Sequence, residues 1–224
     1  MDIELTIRKK ASGDHVVLKD TGFPLHGCGI VLVTGPNGAG KSTLFSMLSG
    51  NDLDYDGKLL VNGEKKDSKN NGEYQEYDVS YCPQDPLIFD DLSVMENVPF
   101  PFSEKDEGKA KRILESLGLG QLLNQDIRTL STGERQRLSF ARVLYEEKPI
   151  LLLDECTSDL DQESTEILLD TIKMLGNDHL VFLATHDPLV QEEIKDCSLL
   201  DLWDGQIDLH SNPSSSSMEK AVPI

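Results

Sequence analysis

The chain has 224 residues, which suits one large domain and leaves little room for two. It carries 21 Lys and Arg against 40 Asp and Glu, and this net charge of -19 repels phosphate backbones and anionic lipid headgroups. We therefore expect no nucleic acid among its partners. No apolar run approaches the roughly 18 residues of a membrane-spanning helix, and residues 1–10 do not resemble a signal peptide. The four scattered cysteines predict reduced thiols, not a disulfide framework or a zinc site.

Strand and helix patterns alternate along most of the chain. Strands are predicted at 3–8, 16–18, 30–33, 58–61, 150–153 and 180–184, the fourth closed by a hairpin turn at Asn62-Gly63. Helices are predicted after Ser103 as N-cap with Asp106 three residues on, and at 135–145 and 163–175. The polar stretch 64–78 predicts a surface loop, and 211–224, with four consecutive serines, predicts a disordered tail. This order indicates an α/β fold with a largely parallel sheet.

A complete glycine-rich motif follows the apolar stretch 30–33 and precedes a helix pattern that begins at Thr43. It fits G-x-x-x-x-G-K-[S/T] with the residues Gly35, Pro36, Asn37, Gly38, Ala39, Gly40, Lys41 and Ser42. Such glycines let backbone N–H groups surround phosphate oxygens, and the helix N-terminus adds the positive end of its dipole. Lys41 is predicted to reach the β- and γ-phosphates, and the Ser42 hydroxyl to hold Mg²⁺. The strand before the motif and the helix after it argue against a turn unrelated to nucleotide.

Polar side chains follow three apolar stretches. Asp154 and Glu155 come directly after 150–153, where they are placed to bind Mg²⁺ and to act as a general base on water. His186 follows 180–184 and is placed to hydrogen-bond a γ-phosphate, although a lone histidine there is more often an ordinary surface residue. Gln84 follows a shorter apolar stretch and indicates nothing by itself.

Together these motifs resemble the nucleotide-binding subunits of ABC (ATP-binding cassette) ATPases, over about residues 3–207. The family's Q-loop glutamine resembles Gln84, its Walker B strand 150–154, its D-loop 158–161 and its switch histidine His186. Its signature motif resembles Leu130-Ser131-Thr132-Gly133-Glu134. The resemblance implies a P-loop NTPase core with a mostly parallel sheet, an N-terminal antiparallel β-subdomain and a short helical subdomain. It places an ABC-type ATPase domain at 1–210, with the helical subdomain at about 86–145.

The resemblance also implies roles for individual residues. Nucleotide contacts are expected from residues 35–43 and Gln84, and catalytic roles from Glu155, His186 and Lys41. Mg²⁺ ligands are expected from Ser42, Gln84 and Asp154. The signature residues Ser131, Thr132, Gly133 and Glu134 are expected to act on the ATP of a partner cassette.

The chain departs from the family pattern at several positions. In the signature, Thr132 replaces a glycine and Glu134 a glutamine, and a β-branched Thr132 is expected to restrict the backbone and slow the composite site. Cys156 and Asp159 replace a usual proline and alanine. No aromatic residue that would stack on adenine stands between Arg8 and Lys19, and His15 is the nearest substitute, so selectivity for ATP over GTP stays open.

The resemblance predicts an ATP-hydrolysing subunit of an ABC transporter, in which two cassettes close on ATP and drive separate membrane subunits. A cytoplasmic location, peripheral on the inner face of a membrane, follows from that prediction. The partner cassette is either an identical chain or a different one. A soluble ABC-type ATPase that powers assembly or repair is the alternative, and a binding module without hydrolysis is less favoured. The apolar residues within 85–92 either dock on a membrane subunit or pack internally.

Overall fold

The computed structural model describes residues 1–66, 78–102, 104–158 and 160–210. The predicted tail 211–224, most of the predicted loop 64–78, Ser103 and Asp159 lie outside these ranges. The strands are β1 (Asp2–Ser12), β2 (His15–His26), β3 (Gly29–Thr34), β4 (Asp56–Val61), β5 (Glu64–Lys66), β6 (Val79–Cys82), β7 (Ile150–Asp154), β8 (Leu180–Ala184), β9 (Cys197–Trp203) and β10 (Gln206–His210). The α-helices are α1 (Lys41–Leu48), α2 (Val94–Asn97), α3 (Glu107–Ser116), α4 (Thr132–Glu146), α5 (Gln162–Leu175) and α6 (Pro188–Glu193).

Within the described residues the strands form two sheets. One is antiparallel, in the order β2-β1-β4-β5, and β4 and β5 are joined by the predicted turn, with positive φ angles at Asn62 and Gly63. The other has the order β10-β9-β3-β8-β7-β6, and its pairs are parallel apart from the β9–β10 hairpin. Every residue of β7 and β8 is buried, as their unbroken apolar sequences predict. The predicted α/β fold with a mostly parallel sheet and an N-terminal antiparallel sheet is confirmed.

The strand predicted at 16–18 is the middle of the much longer β2. Gly22 and Pro24 interrupt its sequence pattern, yet β2 pairs with β1 along nearly its whole length. Gly22 lies so close to β1 that a Cβ there would be 2.1 Å from the Leu5 carbonyl oxygen, so the pairing requires glycine. Strands β9 and β10 were not predicted, although Asp204-Gly205 between alternating apolar residues is a strong hairpin signal.

Two helix starts differ from the sequence prediction by three residues. Helix α3 begins at Glu107, not after Ser103, because the Asp106 carboxylate is its N-cap and accepts a hydrogen bond from the Lys109 N–H at 2.8 Å. Gly118, with φ 72°, follows its end as predicted. Helix α4 begins three residues earlier than predicted, because Ser131 and Glu134 form a capping box.

The parallel sheet separates two apolar clusters. One cluster contains α1 and the antiparallel sheet, and the other contains the remaining helices. The segment 86–145 holds α2, α3 and most of α4, and its division from the rest as a helical subdomain stays a prediction. Near its start, Ile88 packs on the second cluster and Phe89 stacks against Phe100, while Leu87 is exposed. No helix in the described part of the chain combines the length and apolarity needed to cross a membrane.

A buried ion pair ties β1 to the segment before β4. Lys10 is 4% exposed, and its ammonium group lies 2.7 Å from Asp52 Oδ2 and donates to the Asp54 carbonyl at 2.8 Å. The hydrogen bond from Lys10 lowers the pKa of the Asp52 carboxyl below its ordinary value of 3.8. Because Asp52 is more acidic in the folded chain, its contribution to stability is present above pH 4 and lost as the pH falls through the lowered pKa.

We expect Asp52→Asn to reduce the free energy of unfolding by about 1–3 kcal/mol at pH 7, because it leaves the Lys10 ammonium buried without a counter-charge. The difference between parent and variant should shrink below pH 4. Urea denaturation from pH 7 downward measures both effects. Asp54→Asn is the matched control, since Asp54 contacts Lys10 through its carbonyl group. An equal loss in both variants, or a difference independent of pH, would contradict this account.

Candidate active site

The glycine-rich loop connects β3 to α1 and folds back over the first helical residue. Gly35, Gly38 and Gly40 have φ angles of 138°, 83° and 103°. Residues other than glycine rarely adopt such angles. Lys41 is buried, and its Nζ donates to the carbonyl oxygens of Gly35 at 2.9 Å and Pro36 at 3.4 Å. The Lys41 cation is therefore held inside the loop, at the N-terminus of α1, where an anion would be stabilised.

An open cleft of about 480 Å³ lies at this edge of the parallel sheet. Its lining includes part of the glycine-rich loop and most of the residues predicted from the sequence, although their positions in the chain are far apart. Gly35, Pro36 and Ala39 of the predicted set are not part of the described lining. The lining residues are Val17, Asn37, Gly38, Gly40, Lys41, Ser42, Thr43, Gln84, Asp154, Glu155 and His186. The carboxyl ends of parallel strands meet at one edge of the sheet, which is why β7, β8 and β3 deliver these residues together.

Asp154 ends β7 and is 1% exposed. Its Oδ2 accepts a hydrogen bond from the Tyr81 hydroxyl at 3.2 Å, and no donor among the described residues bonds its Oδ1. Burial raises the pKa of the Asp154 carboxyl, and the neighbouring hydroxyls of Ser42 and Tyr81 oppose that shift. A buried carboxylate oxygen without a donor suits a cation, and the hydroxyl, amide and carboxylate oxygens of Ser42, Gln84 and Asp154 are the ligand type that Mg²⁺ prefers.

Glu155 has a left-handed backbone with φ 51°, which is uncommon outside glycine and often marks a functional turn. Its backbone N–H donates to the Ala184 carbonyl oxygen of β8 at 3.0 Å, which fixes the turn. The Glu155 Oε2 accepts from the Ser158 hydroxyl at 3.1 Å and from the His186 N–H at 3.3 Å, and lies 2.9 Å from His186 Nδ1. The carboxylate is buried, whereas the His186 side chain is 65% exposed at the rim of the cleft. This pair can position a water molecule and accept its proton.

The signature residues lie at the start of α4 and are absent from the described lining of this cleft. Ser131 is the N-cap, and its hydroxyl accepts from the Glu134 N–H at 3.3 Å. The Glu134 carboxylate in return lies 2.7 Å from the Ser131 N and 2.8 Å from its Oγ. Gly133 is buried, and a Cβ there would lie 3.2 Å from Ser164 Oγ.

The expected restriction at Thr132 is wrong. Thr132 is the first residue of α4 and has helical backbone, which β-branched residues adopt without strain. The departure that changes the contacts of this motif is Glu134, because its carboxylate accepts a hydrogen bond from the Ser131 hydroxyl. We therefore expect no gain in turnover from Thr132→Gly.

Two residues of the site, one in the cleft lining and one behind it, were not predicted from the sequence. Val17 is the β2 residue that lines the cleft, whereas His15 is exposed and is not part of the described lining. Tyr81 contacts Asp154 from β6. The stretch between Arg8 and Lys19 contains no aromatic residue, which is consistent with an aliphatic contact, but no sequence pattern indicates which residue supplies it.

A family model described as "ABC transporter" matches residues 18–158, more than half of the chain. The chain belongs to the ABC transporter family. It is 36% identical over 190 residues to the ABC transporter I family member 1 of Arabidopsis thaliana, which covers 83% of this chain and 81% of that protein. It is 30% identical over 191 residues to the ABC transporter ATP-binding protein YxdL of Bacillus subtilis (strain 168), covering 80% and 74%.

A solved structure has the same fold. A bacterial Atm1-family ABC exporter with ATP bound superposes with a TM-score of 0.80 at 21% identity. The match covers 94% of this chain and 39% of the exporter chain. Family membership makes this chain an ATP-binding domain of the ABC ATPase type, and the predicted resemblance is confirmed.

Proposed function

We propose that this chain is the ATP-hydrolysing subunit of an ABC transporter and drives separate membrane subunits. The observation that carries the proposal is the cleft in which the glycine-rich loop, Asp154, Glu155 and His186 converge at one sheet edge. A phosphate-binding loop alone would support binding. The buried Glu155 carboxylate beside His186 adds a base positioned for hydrolysis.

The residues of the cleft have separable roles in this mechanism. The glycine-rich loop and Lys41 bind the phosphates and orient the γ-phosphate for attack by water. Glu155 holds that water and accepts its proton, while Ser158 and His186 fix the carboxylate. Ser42, Gln84 and Asp154 would hold Mg²⁺, which supplies charge neutralisation at the phosphate oxygens.

We infer that a second cassette completes the site. The N-terminus of α4 carries Ser131, which is exposed outside this chain's own described cleft, with Gly133 two residues on, so this end of the helix can face the cleft of another chain. Closure of two cassettes on ATP, followed by opening after hydrolysis, would then move the attached subunits. The similarity to YxdL, an ABC transporter ATP-binding protein by name, supports an ATP-binding subunit of a transporter. We propose that it lies at the cytoplasmic face of a membrane.

Phosphate release from ATP by the purified chain tests the proposal. We expect turnover that requires Mg²⁺ and is abolished by EDTA, with GTP as a second substrate. Because Val17 is aliphatic and cannot stack as an aromatic ring does, we expect affinities for ATP and GTP within about tenfold of each other. A chain that binds ATP and never releases phosphate, alone or with membrane subunits, would be a binding module instead.

The capping box at the signature carries a separate prediction. The Glu134 carboxylate accepts a hydrogen bond from the Ser131 hydroxyl. It would place a negative charge beside the γ-phosphate of a partner's ATP. Glu134→Gln keeps an oxygen for the cap and removes the charge. We expect it to tighten ATP-dependent dimerisation by about three- to tenfold, the scale of one partly screened charge contact.

Sedimentation equilibrium with ATP and Mg²⁺ measures that effect. Glu96→Gln is the matched control, because Ser93 and Glu96 form the same capping box on α2. A tightening in both variants would show that the effect comes from helix capping, and a weaker dimer for Glu134→Gln would contradict the charge argument.

A further inference from the structure

Tyr81 lies on β6 with its hydroxyl directed at the end of the neighbouring strand. Its O–H donates to Asp154 Oδ2 at 3.2 Å, and β6 and β7 pair in parallel with Tyr81 opposite Leu152. The ring stacks edge-on against Phe45 of α1, with 6.2 Å between the ring centres. The ring is thus fixed by the helix that follows the glycine-rich loop, and it does not belong to the described lining of the cleft.

The hydrogen bond from Tyr81 makes the two carboxylate oxygens of Asp154 unequal in their hydrogen bonding. Oδ2 has a donor, and Oδ1 is buried with no donor among the described residues. A carboxylate whose one oxygen is held by a fixed hydroxyl cannot rotate freely, so the unbonded oxygen keeps one direction. This is the arrangement by which neighbouring groups orient a metal ligand.

We propose that Tyr81 is a positioning residue for the metal site, holding Asp154 so that Oδ1 is presented to the divalent cation that accompanies ATP. This inference rests on the proposed function, since it takes Asp154 as a metal ligand. Tyr81 acts through Asp154 and is not placed to touch the nucleotide. Its loss should therefore weaken the contribution of the cation to ATP binding and leave metal-free ATP binding unchanged.

Calorimetric titration of ATP, once with EDTA and once with excess Mg²⁺, separates these effects. In Tyr81→Phe, which keeps the ring and its contact with Phe45, we expect metal-free affinity equal to that of the parent. We expect the gain in affinity from Mg²⁺ to fall by at least about tenfold, as for other groups that orient metal ligands. The unchanged metal-free affinity also shows that the variant is folded.

Tyr145→Phe is the matched control, because Tyr145 is a buried tyrosine away from the cleft whose hydroxyl accepts a hydrogen bond from the Asp106 N–H at 2.7 Å. Tyr145→Phe should retain the full gain in ATP affinity that Mg²⁺ gives the parent. An undiminished gain in Tyr81→Phe, or an equal loss with and without Mg²⁺, would overturn the role of Tyr81. A parent chain whose ATP affinity does not respond to Mg²⁺ would instead overturn the proposed metal site, and the inference with it.

Discussion

Glu155→Gln should slow phosphate release from ATP by at least about 100-fold while leaving ATP affinity close to that of the parent. The substitution keeps the side-chain shape and an oxygen that can accept from Ser158 and the His186 N–H, but removes the basicity. General bases typically contribute factors of about 10² to 10⁴. Single-turnover kinetics with a phosphate sensor measures the chemical step directly.

The same variant should accumulate an ATP-bound dimer, because opening follows hydrolysis. Size-exclusion chromatography with ATP and Mg²⁺ should show a larger shift for Glu155→Gln than for the parent, and adding Ser131→Arg should cancel the shift by obstructing the composite site. Glu166→Gln, on the exposed side of α5, is the control. Hydrolysis at the parent rate in Glu155→Gln would show that Glu155 is not the base. If Glu155→Gln stops hydrolysing ATP but forms no ATP-bound dimer, the partner is a different cassette.

Lys41→Ala should weaken ATP affinity by about 100-fold or more. The Lys41 ammonium is already buried inside the loop and held by two carbonyl oxygens, so it meets a phosphate group with little loss of conformational freedom. Its removal takes away the positive charge and the two hydrogen bonds that shape the loop. Calorimetry with ATP measures the loss, and Lys66→Ala, which removes a buried lysine outside the cleft, should bind normally. Unchanged affinity in Lys41→Ala would contradict the phosphate-binding role of the loop.

The phosphate loop and the central strands were predictable because local sequence determines them. The glycines of 35–40 need particular backbone angles, and β7 and β8 are unbroken apolar stretches that need cover on both faces. The predicted helix starts were wrong where several possible capping residues lie within a few positions of each other. Ser103 and Asp106 are both good N-caps, and the structure uses Asp106.

The antiparallel sheet and the details of the site depended on contacts between distant parts of the chain. Strand β2 is stabilised by pairing with β1 and not by its own pattern, which Gly22 and Pro24 disrupt. The hydrogen bond from Tyr81 to Asp154 joins residues 73 positions apart, and no local sequence pattern predicts it. The expectation at Thr132 is wrong for a different reason, because a glycine in a family pattern is not a conformational requirement where the backbone is an ordinary first helical turn.

We propose that each ATP site needs two chains, one giving Lys41 and Glu155 and the other giving Ser131. Mixing two inactive variants, Lys41→Ala and Ser131→Arg, tests whether a site is shared between two chains. A mixed dimer contains one intact site, made from the cleft of the Ser131→Arg chain and the signature of the Lys41→Ala chain. Phosphate release, lost in each variant alone, should return in the mixture to up to about a quarter of the parent rate, since about half of randomly paired dimers are mixed and each holds one of two sites. A mixture as inactive as its components, under conditions where the parent turns over ATP, would contradict it.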